Sequence, residues 1–458
     1  MAEPTMRQPS SPRPSKQTNL ELSGLNLKET YTMAQSATST GLDAPNGPEA
    51  QSSANEQYWP QGDQAIDALV SLAERLTSHI YNDANEEVFP ASAEECSSEQ
   101  VKTKKDLWSD LHSNLLPQLG RHIGILSSLL KPEWMHFTLD LVLVTRSHLE
   151  RLLNEIQSTI CMRCPRPEII PGTQCNDQDV EEFKEFRLKG LYNRISSLYS
   201  RVILVSCHGI ELIQKMQLTT KNDPYETDVV YFSQSNNVAQ ARQSILDNTR
   251  AVRKGIRCAI GWSLASDYDL VRTGWYEETP LIDGYSESVS RSIAHWKEGS
   301  GRPVPELYRA QKIKLYELLL PINKLCRLFF KKLSRRGIKE KRLPMFSKMR
   351  SDQLDSLWRF AAVMRYELMC LQEATNIPDW PGNTAYALGF NRVAKRLEDC
   401  FEPALHLILE YLVPLVPDTE GFPIQHYFRS WFTMWHTQFS IAIQNLIDHV
   451  ELSINNAL

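Results

Sequence analysis

Hydrophobic positions recur with the period of an α-helix along most of the chain after residue 58. The first periodic stretch follows Asp63, a candidate N-cap. Its apolar residues are three or four positions apart: Ile66, Leu69, Val70, Ala73, Leu76 and Ile80. Prolines punctuate the later stretches, which predict helices over about 132–160, 179–217, 236–267, 305–336, 351–374, 382–412 and 424–452.

Alternating apolar and polar positions and hairpin turn signals are absent from this part of the sequence. We therefore predict an all-α fold in which long antiparallel helices form one or two bundles. Of two further stretches, the first must be a loop and the second cannot be assigned from its pattern. Residues 164–172 are too rich in proline, and residues 273–301 mix Gly, Ser and Trp without a clear period.

The first 58 residues differ in composition from the rest. They are rich in Ser, Pro, Thr, Gln and Ala and lack a sustained apolar period, so they cannot bury enough surface to offset the entropy of ordering. We predict a disordered arm over 1–58, an N-terminal bundle over 59–235 and a C-terminal bundle over 236–458. The polar turn before Asn236 sets the second boundary.

Composition favours a cytoplasmic or nuclear protein. The first 20 residues contain no apolar run of the kind that opens a signal peptide, and no run of about 18 apolar residues predicts a membrane span. The nine cysteines are odd in number and mostly widely spaced, which suits reduced thiols rather than a disulfide framework.

Two segments in the last third of the chain resemble parts of a large group of uncharacterised helical proteins from rust fungi. They are 315–337, LYELLLPINKLCRLFFKKLSRRG, and 427–450, YFRSWFTMWHTQFSIAIQNLIDHV. The resemblance implies a lineage-restricted helical protein, and it carries no known activity and no catalytic residues.

Signatures of catalysis are missing from the sequence. There is no glycine-rich phosphate loop, and the closest approach to a nucleophile elbow, Gly261–Ala265, ends in alanine and follows a helical pattern. A di-iron bundle needs two Glu-x-x-His motifs, whereas one occurs, Glu133–His136. We therefore predict no catalytic residue and no cofactor, although an enzyme of unrecognised type in a helical core stays open.

A weak zinc candidate comes from Cys161 and Cys164 in a C-x-x-C pair, with Cys175 after the proline-rich loop. Two thiolates three positions apart can bind one Zn²⁺ ion. The spacing does not identify a fourth ligand among Cys207, His208 and His148. Free thiols are the simpler interpretation.

The segment 309–350 is strongly basic, with fourteen Lys or Arg against two acids, so the rest of the chain carries a net −17. Helical spacing predicts a positive face opposite an apolar face formed by Ile322, Leu325, Phe329 and Leu333. We predict that this segment forms a basic stripe of Lys324, Arg327, Lys331, Lys332, Arg335, Arg336, Lys339, Lys341 and Arg342.

Three interpretations of the basic stripe stay open at this point. It can face the chain's own acidic loops, such as 82–100, which holds six acids and neither Lys nor Arg. It can serve nuclear import or bind an acidic partner, or it can contact nucleic-acid phosphates without sequence preference. We predict a non-enzymatic interaction or scaffold protein with an as yet unknown protein partner, and a nucleic-acid-associated protein is the alternative.

Overall fold

All regular secondary structure in the described part of the chain is helical, which confirms the predicted all-α class. The computed structural model describes residues 55–81, 105–161, 176–221, 237–299, 304–333, 343–375, 384–418 and 421–455. The predicted disordered arm lies outside these residues except for 55–58. None of the described helices is long and apolar enough to cross a membrane.

The helices follow the apolar stretches of the sequence closely. Their bounds are α1 Trp59–Tyr81, α2 Leu116–Leu129, α3 Met135–Cys161, α4 Glu185–Lys215, α5 Val238–Leu264, α6 Asp267–Glu298, α7 Glu306–Lys331, α8 Ser351–Thr375, α9 Thr384–Asp399, α10 Phe401–Leu407 and α11 Ile424–Asn455. Short π-helical turns precede α2 and follow α10.

Asp63 is not the N-cap that its position in the sequence predicts, because α1 begins at Trp59. The Asp63 carboxylate instead accepts hydrogen bonds from the hydroxyl of Thr219 and from the amide and hydroxyl of Thr220, just beyond α4. Burial alone would raise the pKa of Asp63, but these hydrogen bonds lower it below its ordinary value. Asp63 therefore binds residues that are distant in sequence instead of capping its own helix.

The stretch 273–301, which the sequence pattern leaves unassigned, lies almost entirely within α6. Ser266 caps this helix by accepting a hydrogen bond from the amide of Asp269, and Gly299 ends it in the left-handed conformation with φ of +66°. Pro280 lies inside the helix, and the buried residues between Trp275 and Val289 are seven positions apart. This sparse apolar pattern and the internal proline hide the helix from sequence analysis.

Two other predicted elements are shorter than expected. The helix predicted from 179 begins as α4 at Glu185, because residues 181–183 form a 3₁₀ turn and Lys184 is extended. The single helix predicted over 382–412 is divided into α9 and α10 at Cys400.

Ten of the eleven helices bounded above pack as two groups of five neighbours that each close on themselves, and the short helix α10 lies against α8 and α9. In the first group the order around the ring is α1, α4, α5, α2 and α3, and in the second it is α6, α7, α11, α9 and α8. Helix α5 thus packs with the helices that precede it. The chain passes from the first group to the second at Ala265. The predicted domain boundary between residues 235 and 236 stays a prediction.

Most neighbouring helices run antiparallel, but each group contains one parallel pair. Helix α1 lies parallel to α3, and α6 lies parallel to α8. The contacts that establish this are Ser71–Arg146 with Arg75–Glu150, and Glu278–Arg365 with Ser288–Gln372. Parallel neighbours bring the N-terminal ends of α6 and α8 to the same end of their group.

Aromatic side chains fill the core of the second group. The ring centroids of Phe329 on α7 and Trp435 on α11 are 4.8 Å apart, and Phe401 lies 4.8 Å from Trp435 and 4.7 Å from Phe439. The indole Nε1 of Trp435 also donates to the carbonyl oxygen of Leu325 at 2.9 Å. These contacts fix the C-terminal part of α7, and also α10, against the middle of α11.

A buried ion cluster joins the two groups at Asp267, the first residue of α6. Its carboxylate accepts hydrogen bonds from Lys184 Nζ at 2.7 Å, from Arg187 at 2.8 Å, and from the amide and hydroxyl of Ser347 at 2.8 and 2.9 Å. The side chains of Lys184, Arg187 and Asp267 are at most 2 % exposed. We call these four residues the Asp267 cluster.

Asp177 forms a second link beside this cluster. Its carboxylate accepts from the amide of Glu185 at 2.9 Å and from the amide of Ser351 at 2.8 Å, so it caps α4 and α8 together. The hydroxyl of Ser351 in turn accepts from the amide of Phe186 at 2.7 Å. Two carboxylates therefore lie where the N-termini of α4, α6 and α8 meet, and the positive ends of the helix dipoles stabilise them.

We expect Asp267→Asn to lower the free energy of unfolding by about 3–5 kcal/mol, because it leaves the ammonium of Lys184 and the guanidinium of Arg187 buried without their carboxylate. Urea unfolding followed by circular dichroism measures the loss. The matched control is Asp247→Asn, which removes an exposed carboxylate paired with Arg250 and should cost less than about 1 kcal/mol. Equal losses in both variants would contradict a central role for the cluster.

Candidate interaction surface

The described part of the basic stripe lies on α7, and its helical faces are those that the spacing predicts. Lys324, Arg327 and Lys331 are exposed, while the apolar face is turned inward. Ile322, Phe329 and Leu333 are fully buried and Leu325 is half-buried. The remaining members of the stripe, Arg335, Arg336, Lys339, Lys341 and Arg342, lie outside the described residues.

The positive charges of this segment have different surroundings. Arg327 forms an ion pair with Asp283 of α6 at 2.7 Å, and Lys348 pairs with Asp179 at 2.6 Å. In the described part of the chain, no hydrogen bond or ion pair is found for Lys324 or Lys331. These two lysines are seven residues apart, so they lie on the same side of α7.

Lys332 packs against aromatic rings of α11. Its ammonium lies 4.1 Å from the ring centroid of Tyr427 and 5.1 Å from those of Phe428 and Trp431. It also donates a hydrogen bond to the hydroxyl of Tyr427 at 2.7 Å. This arrangement is a cation–π contact that ties the C-terminal end of α7 to the beginning of α11.

Sequence analysis missed the aromatic half of this surface because Tyr427 and Lys332 are 95 residues apart. The only sequence signal was the density of aromatic residues in 427–439, which equally fits a buried helix face. In the structure, Phe428, Phe432 and Phe439 indeed face the core, while Tyr427 is exposed.

The outward face of α11 carries an unusual composition. Between Arg429 and Asp448 the helix contains no Asp, Glu, Lys or Arg. Tyr427, Met434 and Ile441 recur every seven residues and are 43 %, 59 % and 48 % exposed. On α7, Leu328 is 46 % exposed between Lys324 and Lys331. We call the exposed residues of both helices the α7–α11 surface: Lys324, Leu328, Lys331, Tyr427, Met434 and Ile441.

The other sequence candidates do not form a site within the described residues. Cys164 and Cys175 lie outside them, and of Cys161 only the backbone, at the end of α3, is described. No group of three or more His, Cys, Asp or Glu in the described ranges could hold a metal ion. Ser263 lies inside α5 and donates to the carbonyl oxygen of Ile260 at 2.9 Å, as an ordinary helical serine does.

A cavity of about 560 Å³ opens at the other end of α7, near Lys312. The side chain of Lys312 is buried, and its ammonium donates to the carbonyl oxygen of Thr375, the last residue of α8, at 2.6 Å. Its Nζ lies 5.6 Å from the ring centroid of Tyr308. Burial lowers the pKa of Lys312 to about 8.

Comparison with known proteins gives two matches to family models, and neither model carries a function. A family model described as a domain of unknown function (DUF8723) matches residues 104–264, and a second such model (DUF8721) matches residues 266–448. The two matched regions meet at Ala265, where α5 ends and the chain passes to α6. No curated protein and no solved structure matches the chain.

The lowered pKa of Lys312 predicts a pH-dependent gain in stability for Lys312→Met. In the native protein the buried charge opposes folding below pH 8, and this cost falls as pH rises from about 8 towards the unfolded pKa of 10.5. The stability advantage of methionine should therefore shrink by roughly 2–3 kcal/mol over that window. Urea unfolding at several pH values measures it.

Lys314→Met is the control for this experiment, because Lys314 is exposed on the same helix. The difference in unfolding free energy between Lys314→Met and the wild type should stay constant between pH 8 and 10. A flat difference for Lys312→Met as well would show that the pKa of Lys312 is not lowered in the folded protein.

Proposed function

We propose that this protein is a non-enzymatic interaction protein, and that its α7–α11 surface binds an acidic, amphipathic helix of a protein partner. The observation that supports this most is the pairing of two neighbouring exposed faces. One presents lysines, and the other presents apolar side chains on a helix face without charge.

The lysines define the acidic side of the partner. Lys324 and Lys331 stand about 10 Å apart along α7, given a rise of roughly 1.5 Å per residue. Leu328 is exposed between them. A partner helix with two acidic residues seven positions apart and an apolar residue between them matches this pattern in both charge and spacing.

The α11 face defines the apolar side of the partner. A helix face in contact with water normally carries charged residues, whereas the exposed positions from 430 to 445 hold Ser, Thr, Gln, Asn, Met and Ile. Apolar side chains at every seventh residue lie in a row along one side of a helix, which another helix can pack against. Because α7 and α11 are antiparallel neighbours, a helix lying along them can meet both faces.

Nucleic acid is the alternative partner, and the surface fits it less well. Phosphate binding needs the lysines and gives no role to Met434 or Ile441. Base stacking needs free ring faces, but Lys332 lies over Tyr427 and Phe428 is buried in the core. Binding of a partner helix should therefore depend on Met434 and Ile441, whereas binding of nucleic acid should not.

A peptide-display selection on the full-length protein tests the proposal, with binding of each selected peptide measured by fluorescence anisotropy. Three variants are compared with the wild type: Lys324→Glu with Lys331→Glu, Met434→Glu with Ile441→Glu, and the control Lys254→Glu with Arg257→Glu on the exposed face of α5. We expect acidic peptides with apolar residues at helical spacing. Their affinity should fall about tenfold or more in the first two variants and stay unchanged in the control.

Labelled single-stranded RNA and duplex DNA are titrated in parallel at low and moderate salt. Salt-dependent binding that is lost with the lysines but kept with Met434→Glu and Ile441→Glu would replace the proposal with the nucleic-acid alternative. Selected peptides without acidic residues, or peptides that bind all variants equally, would also overturn it. Circular dichroism and melting temperature establish that each variant is folded.

A further inference from the structure

The neighbouring helices α2 and α5 carry positive charge without any acidic residue over most of their length. The chain contains no Asp or Glu over 111–132, which includes α2, or over 248–266, which includes most of α5. The same holds for 186–210 of α4, which packs on the other side of α5. Since the whole chain has a net charge of −5, this positive potential is a local property of these helices.

Four exposed cations define this surface. No hydrogen bond or ion pair is found for them among the described residues, whereas the neighbouring Arg250 pairs with Asp247. Their charges are therefore open to an external anion. We call these four residues the α2–α5 basic face: Arg121 of α2 and Arg253, Lys254 and Arg257 of α5.

Helix packing brings Arg121 next to the cations of α5. Helix α2 runs antiparallel to α5, since Gly120 faces Ile256 and Gly124 faces Arg253. A β-carbon at position 124 would overlap the guanidinium of Arg253, so glycine lets this side chain lie across α2. Because Arg121 lies between the two glycines in sequence and the axes of packed helices are about 8–10 Å apart, its charge adds to those on α5.

A third helix extends the positive potential on the other side of α2. The imidazole rings of His122 and of His148 on α3 stack with their centroids 5.4 Å apart. Burial lowers the pKa of His122, and the charges of His148, Arg121 and Arg151 lower it further. Arg151 is itself exposed on α3, so cations lie on both sides of the stacked pair.

The composition of the α2–α5 basic face indicates which kind of anion it fits. Three of its four cations are arginines, whose planar guanidinium can donate to two oxygens of one phosphate. Among the large apolar side chains of α2 and α5, only Leu264 at the end of α5 is exposed. Binding of a protein partner relies on buried apolar anchors, and so does insertion into a membrane surface. The face therefore favours the phosphates of a nucleic acid.

The lack of exposed rings favours a duplex over a single strand. Helix α2 contains no Phe, Tyr or Trp, and Trp262 of α5 is 5 % exposed. The guanidinium of Arg194 also lies over the ring of Trp262, 3.5 Å from its centroid. Proteins that bind single strands stack the bases on aromatic side chains, whereas duplex phosphates can be bound without such contacts.

We propose that the α2–α5 basic face binds the phosphate backbone of a nucleic-acid duplex without reading its sequence. Arg121, Arg253, Lys254 and Arg257 contact up to four phosphates. This face lies in the first group of helices and uses none of the residues of the α7–α11 surface, so either proposal can fail without the other.

Fluorescence anisotropy of the full-length protein with labelled DNA and RNA duplexes tests this inference, at salt concentrations from about 50 to 200 mM. Four phosphate contacts predict a slope of about −3 to −4 for the logarithm of affinity against that of salt, so affinity falls about a hundredfold over this range. Duplexes of unrelated sequence should bind equally, and a single strand of the same length should bind more weakly. The tighter of the two duplexes identifies DNA or RNA as the source of the phosphates.

Variants assign the binding to this face. Arg253→Gln with Arg257→Gln should weaken duplex binding by about tenfold or more and make the salt slope shallower by about 2. Arg121→Gln should make it shallower by about 1. The control, Lys314→Gln with Arg392→Gln, removes two exposed cations from the second group of helices and should leave both quantities unchanged. Circular dichroism establishes that each variant is folded.

Three results would overturn the inference. The first is duplex binding that survives Arg253→Gln with Arg257→Gln and is lost in Lys324→Glu with Lys331→Glu, which would assign the nucleic acid to the α7–α11 surface. The second is a single strand that binds more tightly than the duplex. The third is binding to vesicles of phosphatidylcholine with phosphatidylserine but to no duplex at about 50 mM salt, which would assign the face to a membrane surface.

Discussion

The position of α6 depends on one buried carboxylate. Asp267 accepts four hydrogen bonds from groups that belong to the start of α4 and to the segment before α8, so it holds together three parts of the chain that are distant in sequence. Buried charges are costly unless they are fully paired. Here two cations share one carboxylate, and the carbonyl oxygens of Ser347 and Ala265 accept further hydrogen bonds from Lys184 and Arg187. The cluster thereby specifies how the two groups of helices join.

The positions of the α7–α11 surface and of the cavity near Lys312 depend on this junction between the two groups of helices. Because α6 is held at its first residue, its length sets where Asp283 meets Arg327 and where Trp296 meets Tyr308. The aromatic core then places α11 against the other side of α7. One helix, α7, therefore contributes lysines to an outer surface at one end and a buried lysine to a cavity at the other. The surface and the cavity thus lie at opposite ends of the same helix.

Sequence analysis predicted the features that local spacing determines. The class of the fold and the two faces of α7 follow from a period of 3.6 residues, because that period is a property of the helix itself. Helix α6 escaped prediction since Pro280 and a sparse apolar pattern obscure it. The contact of Lys332 with Tyr427 and the capping of α4 and α8 by Asp177 could not be predicted, because they join residues that meet only after the helices pack.

A site-specific photocrosslinker tests most directly the proposal that the α7–α11 surface binds an acidic, amphipathic helix. Benzoylphenylalanine at position 434 reports on the α7–α11 surface, and at position 144, where Val144 is also exposed, it reports on an unrelated face of α3. After crosslinking in native extract, mass spectrometry identifies the attached peptide. The account predicts an acidic, amphipathic segment of a protein attached at 434 and absent at 144. Attachment to nucleic acid, or the same products at both positions, would contradict it.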